Sequence, residues 1–160
     1  MNTAALSPLS NPAVSPVAST AAAAPLAAVG RLLLAPLFLS SGIAKLLAPA
    51  ATVAYIASAG APLPQAAYAS AVVVEVGIGL AFLLGLHTRA AAAVLALFTV
   101  ATALLFHSGS DQNQVIHFWK NLAIAGGLLS FVAFGGGAWS LDALRERARL
   151  QRAELEHALS

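Results

Sequence analysis

The sequence predicts an all-α membrane protein: a four-transmembrane-helix bundle with a short interfacial segment after helix 1 and a cytoplasmic C-terminal helix. Three observations carry this expectation. First, the 160 residues are 59% hydrophobic and only 9% charged, with a mean hydropathy of +0.84. A soluble domain carries about 25% charged residues, so a chain this poor in charge cannot cover a water-facing surface. Second, four windows reach the roughly 20 mostly apolar residues that a spanning helix needs. They are Leu26–Leu47, Pro64–Leu86, Thr88–Phe106 and Val115–Phe134. Third, basic residues are unevenly placed: Arg145, Arg147, Arg149 and Arg152 crowd the tail. The length suits one bundle rather than two domains.

In chain order, residues 1–25 are rich in Ala, Ser and Pro and carry no charge; they read as a disordered N-terminal arm. The transmembrane domain then covers residues 26–137. Pro25 and Pro64 suit helix starts, where no amide donor is required. Pro36 lies inside the first span and frees the carbonyl of Leu32, with Ser40 and Ser41 one turn on as candidate partners for backbone groups. Pro49 to Pro62 is too short to span; it reads as an interfacial segment ended by Gly60 and anchored by Tyr55. Gly85-Leu86-His87-Thr88-Arg89 is so short a link that spans two and three must form an antiparallel hairpin. Gly77, Gly79, Gly126 and Gly127 read as positions of close helix approach. Gly135-Gly136-Gly137 reads as a helix terminator. Residues 138–160 form a cytoplasmic amphipathic tail, with Ser140 as cap and Asp142 in the first turn.

Positive residues favour the cytoplasm. The tail arginines and Arg89 therefore place both termini inside, and the loop His107 to Gln114, which has no Lys or Arg, outside.

Charges within the spans are the main functional signal. A charge at bilayer depth costs at least about 2.5–3.5 kcal/mol, so it persists where it is paired, hydrated or used. Glu75 lies 11 residues from either end of its span, ~16 Å at 1.5 Å per residue. It is the candidate catalytic, proton-handling group; Arg31 on one side and Lys45 or Lys120 on the other are its candidate partners, and the structural alternative is an ion pair between Arg31 and Glu75. Lys45 and Lys120 fall near the outer ends of spans one and four. Either alone can snorkel to the headgroups. His117 lies one turn before Lys120 on the same face, and Asn121 stands beside it. Together Lys45, His117, Lys120 and Asn121 form a candidate outward-facing pocket for an anion, a quinone carbonyl or a lipid headgroup.

The chain has no cysteine and one methionine, Met1, which excludes disulfides, thiolate redox chemistry and cysteine-ligated iron–sulfur clusters. His107, Asp111 and His117 match no metal motif, so no metal is assigned. No Walker lysine motif, dinucleotide glycine fingerprint or nucleophile elbow appears.

The residues Arg31, Phe38, Gly42 and Lys45 form R-x6-F-x3-G-x2-K on span one. Glu75 and Gly79 follow on span two, Gly85 and Arg89 at the turn, Lys120-Asn121-Leu122 on span four, and Ser140-Leu141-Asp142 after the glycines. This order resembles the DoxX family of small bacterial inner-membrane proteins, over roughly Val29 to Leu144. The resemblance implies four transmembrane helices, a bacterial inner-membrane location and an association with redox processes. Relatives in that family include a subunit linked to thiosulfate:quinone oxidoreduction and proteins linked to oxidative-stress complexes.

Three functions follow as expectations. The leading one is a quinone-associated subunit of a membrane redox or oxidative-stress system, with quinone as its one candidate cofactor. The second is a non-enzymatic scaffold that anchors a soluble redox enzyme through the arginine-rich tail. The third is a small transporter, disfavoured because no inverted repeat is visible. Partners open at this stage are membrane lipid, a soluble redox protein and a second copy of the chain. Nucleic acid is not expected.

Overall fold

The computed structural model describes residues 17–159. Most of the arm expected to be disordered, residues 1–16, lies outside the described residues. Where the arm is described it is helical: α1 runs Val17–Leu47, starting eight residues before the expected boundary at Pro25. Ala18 and the run Ala21 to Ala24 explain this, because alanine is the best helix former. The apolar span within α1 is Ala24–Leu47. Pro36 lies inside it, and of the two serines expected to serve backbone groups only Ser40 does so. Ser40 Oγ donates to Leu37 O at 3.2 Å, while Ser41 turns away from its own backbone to Glu75.

Helix α2, Pro49–Ser58, starts on proline and exposes all of its side chains but a few, with Ile56 buried. Gly60 adopts φ 75° just beyond it, the left-handed stop that glycine supplies. Helix α3 spans Pro64–Leu84 and is not uniform. Between α-helical Pro64–Val72 and Gly79–Leu84, residues Val73–Ile78 form a π-helical turn. The amide of Gly79 bonds Val74 O, five residues back. Such bulges gather at functional sites, and this one carries Glu75.

Helix α4 runs Thr88–Phe106 and α5 Gln112–Phe134. The α5 start lies three residues before the expected one because Asp111 caps it. Its Oδ1 accepts the amides of Asn113 and Gln114 at 3.1 Å each. Gly135 and Gly137, at φ 76° and 78°, stop α5. Ser140 Oγ then accepts the Ala143 amide at 3.2 Å and opens α6, Leu141–Leu159.

Among the described residues four helices are long and apolar enough to cross a membrane, and there is no strand. The core lies between the four spans: Ala35 and Phe38 of α1, Phe82 of α3, Ala92, Leu95 and Ala96 of α4, and Leu128 and Phe131 of α5. Phe82 and Phe131 meet edge to face at 5.0 Å. Leu33, Leu97, Leu104 and Phe134 point outward, as lipid-facing side chains must. Only α6 departs from this pattern, with no buried residue at all.

Small residues set the helix spacing, though not all of those expected. At Gly42 an added Cβ would fall 2.6 Å from Val76 Cγ2 and 3.0 Å from Glu75 Cβ, so α1 and α3 touch there nearly backbone to side-chain root. Gly79 packs on Phe38 and Leu39, whereas Gly77 and Gly126 face open space.

One end of the bundle is closed by a polar joint. Arg31 is 3% exposed, and its guanidinium donates to Leu83 O at 2.9 Å and Trp139 O at 2.6 Å. Asp142 accepts the amides of His87 and Thr88 at 2.7 and 2.8 Å and the Thr88 hydroxyl at 2.8 Å. It thus caps α4 from the far side of the chain, while its own amide bonds Gly85 O at 2.9 Å. Gly85 sits at φ 70°, and a side chain there would run into Arg31 and Ser140.

Candidate functional site

The opposite end holds a cavity of about 470 Å³. Ser41 and Lys45 are four residues apart on α1 and share a face. Both reach Glu75, which the π turn of α3 presents inward. Lys45 Nζ donates to Ser41 Oγ at 2.8 Å and to Glu75 Oε1 at 2.9 Å; Ser41 Oγ donates to the same Oε1 at 3.1 Å. Lys45 Nζ also stands 2.9 Å from Oε2. The ammonium thus faces both carboxylate oxygens. Glu75 is 5% exposed.

The remaining walls are mostly apolar: Leu37 and Phe38 of α1, Phe98, Leu105 and Phe106 of α4. Thr99 and Thr102 also line it, but their hydroxyls donate to Leu95 O and Thr99 O of their own helix. Helix α2 forms a roof through Thr52, Tyr55 and Ile56, with Tyr55 stacked on Phe106 at 5.5 Å. Tyr55, expected as an interfacial anchor, is thus also a wall of the cavity. Lys120, Asn121 and His107 complete the lining.

Of the four residues expected to share a pocket, Lys45, Lys120 and Asn121 do line one cavity, and Glu75 lies in it with them. His117 stands behind the wall. Its Nδ1 pairs with Lys120 Nζ at 2.9 Å, and its ring stacks on His107 at 5.1 Å. His107 Nδ1 in turn pairs with Gln114 Oε1 at 2.9 Å.

The ion pair expected between Arg31 and Glu75 does not form; Glu75 pairs with Lys45. Depth along α1 explains the correction. Arg31 and Lys45 are 14 residues apart, ~21 Å of helix. In the antiparallel packing of α1 on α3, Arg31 comes level with Leu83 and Gly42 with Glu75.

Sequence reasoning missed Ser41 and His107 as members of the site. Ser41 had a signal, its i,i+4 spacing to Lys45. His107 had none, because its place depends on how the α4–α5 loop folds back on α5.

Chemically the cavity joins an apolar body to two polar ends. One is the closed Ser41–Lys45–Glu75 group, the other the Lys120–Asn121–His107 edge. Among the described residues no three His, Asp or Glu side chains gather as metal ligands do. The cavity fits an amphiphilic organic molecule, with a buried carboxylate held by Lys45 at one end.

Comparison with known proteins supplies the context. The DoxX family model matches residues 26–108. The chain is 37% identical over 120 residues to inner membrane protein YphA of Escherichia coli (strain K12), an alignment covering 71% of this chain and 86% of that protein. It is 39% identical over 120 residues to inner membrane protein YqjF of the same organism, covering 72% and 88% respectively. No solved structure matches it with significance.

Proposed function

The chain belongs to the DoxX family of membrane proteins, and on that premise we propose that it is a quinone-associated subunit of a membrane redox or oxidative-stress system. Its place would be the bacterial inner membrane, with both termini in the cytoplasm, as the tail arginines favour. The cavity would then open toward the opposite face.

The observation that carries this reading is the pair of half-buried Lys45 and buried Glu75 in a largely apolar cavity of about 470 Å³. Ligand pockets of about 300–1,000 Å³ combine apolar walls with a few placed polar groups. An apolar tail would enter from lipid between helices. Lys120 and Asn121 supply donors for a ring oxygen. Glu75 would take and return protons, its charge held by Lys45. A bound quinone would supply the two-electron, two-proton chemistry that this cysteine-free chain lacks. Mass spectrometry of the gently purified protein tests the reading: co-purified quinone is expected at near-stoichiometric amount, and lipid alone would count against it.

A second reading rests on a separate observation. Helix α6 has no buried residue and exposes Leu144, Leu150, Leu155 and Leu159 among its arginines. Such a helix, fixed to the bundle by Asp142, suits a scaffold that docks a soluble redox enzyme. Deletion of 143–160 would then release that enzyme from membranes.

A further inference from the structure

We propose that the cavity takes an anionic amphiphile, its carboxylate or phosphate head held by Lys120 and its chain lying in the apolar body. This ligand class goes beyond the quinone reading and does not rest on it, because a neutral quinone asks Lys120 only for a hydrogen bond.

Charge around the cavity does not balance. Lys45, Lys120 and Glu75 all line it. Glu75 is taken by Lys45, whose Nζ stands 2.9 Å from both of its oxygens. Among the described residues Lys120 makes no ion pair. Asp111, the acid of the α4–α5 loop, is spent on the amides of Asn113 and Gln114 at 3.1 Å each. Lys120 Nζ instead meets His117 Nδ1 at 2.9 Å. An ammonium has only protons to give, so that nitrogen accepts, and the ring is neutral with its own proton on Nε2. His117 therefore orients the lysine without balancing it.

The lining thus carries a net positive charge, and its unbalanced member can be reached. Lys120 lies eight residues into α5, ~12 Å from the helix start. It is exposed while lining a cavity walled by Leu37, Phe98 and Phe106. Asn121, next to it in the lining, adds an amide donor. A head with two or more anionic oxygens can accept from both, and hydrogen bonds between ionised partners are about twice as strong as neutral ones. An alkyl chain on that head matches the apolar walls.

The experiment compares five probes on the full chain in one neutral detergent at about pH 8, where a carboxylic acid is ionised. They are laurate, dodecyl phosphate, methyl laurate, inorganic phosphate and a decyl-benzoquinone, with affinities corrected for micelle partitioning. Laurate or dodecyl phosphate is expected to bind at least about tenfold more tightly than methyl laurate, and the tighter of the two names the head group. Lys120→Gln should shrink that preference to within about twofold, and Lys120→Arg should keep it. A photoactivatable diazirine fatty acid should label Phe98, which lines the cavity, over Leu97, which faces outward. That readout needs no variant to fold. An absence of preference for either anion over methyl laurate, or equal labelling of Leu97 and Phe98, would overturn the proposal. Inorganic phosphate bound as tightly as dodecyl phosphate would overturn it too, since no chain would then occupy the cavity. The benzoquinone decides the other reading separately. Bound to a protein that shows no anion preference, it leaves the quinone reading standing; unbound beside tightly held laurate, it removes the quinone reading alone.

Discussion

The two ends of the bundle use the same ingredients to opposite effect. Each has a basic residue of α1, buried at Arg31 and half-buried at Lys45, an acid and a glycine contact. At the Arg31 end both terminal nitrogens of the guanidinium are bonded to carbonyls, and Asp142 is spent on three donors. Arg31 lines neither that end's open depression nor the cavity. At the Lys45 end the ammonium faces both oxygens of the acid and the pair stands in a cavity wall. A charge in a membrane helix is therefore not by itself a site. Each end keeps one buried polar atom without a hydrogen-bond partner, Arg31 Nε and Glu75 Oε2; what separates them is that the Lys45–Glu75 pair stands in the wall of a mostly apolar cavity and Arg31 does not.

The largest effect should come from splitting the Lys45–Glu75 pair. Lys45→Met leaves an unpaired buried carboxylate, and unfolding in detergent should show a loss of about 3–5 kcal/mol. Adding Glu75→Gln should restore stability to within about 1 kcal/mol, because a neutral isosteric pair has no desolvation cost to offset. A double variant no more stable than the single one would mean that the pair is a structural joint like the other end.

Next is the joint itself. Asp142→Ala removes the cap of α4 and should cost about 2 kcal/mol in the same assay, with cavity binding unchanged. A loss of ligand affinity here would erase the distinction between the two ends. Gly42→Ala forces a methyl against Val76 where α1 meets α3, and should cost about 1–2 kcal/mol by thermal unfolding. It also separates Lys45 from Glu75, so it should weaken ligand binding, as Asp142→Ala does not.

The smallest effect is the pH dependence of the joint. Burial of the Asp142 carboxyl works against its charge, but bonds from the Thr88 amide and hydroxyl and the His87 amide outweigh it and hold the group below the usual carboxylate range. A depressed folded-state value means the stabilisation is present above the unfolded value of about 3.9 and is lost as pH falls below it. Unfolding curves from about pH 6 to pH 3 should thus fall more steeply for wild type than for Asp142→Asn. Parallel curves would show that Asp142 does not act through its charge.

The helices were legible because hydropathy and proline and glycine placement are local signals. Gly60, Ser140 and the Gly85 turn all act as their sequence neighbourhoods imply. The site was legible in part. The depth of Glu75 marked it as buried, and Lys45, Lys120 and Asn121 could be placed at one end by span polarity. Its partner was not, since choosing between Arg31 and Lys45 requires the register of α1 on α3, which Gly42 sets through a contact invisible in one dimension. The π turn was hidden for the same reason: Val73 to Ile78 reads as any apolar helix, and only tertiary packing widens it. Asp142 read as a first-turn acid of its own helix, yet it caps another, because the fold brings α6 under the start of α4.

The most direct test of the central claim is the affinity of a short-chain alkylquinone measured on three proteins side by side: wild type, Lys45→Met with Glu75→Gln, and Asp142→Asn. If the Lys45 end is the site and the Arg31 end a joint, the double variant should bind at least about tenfold more weakly, through loss of the Lys45 ammonium as a charge-assisted donor to a quinone oxygen. Asp142→Asn should stay within about twofold of wild type. Unchanged affinity in the double variant, or an equal loss in Asp142→Asn, would contradict the account.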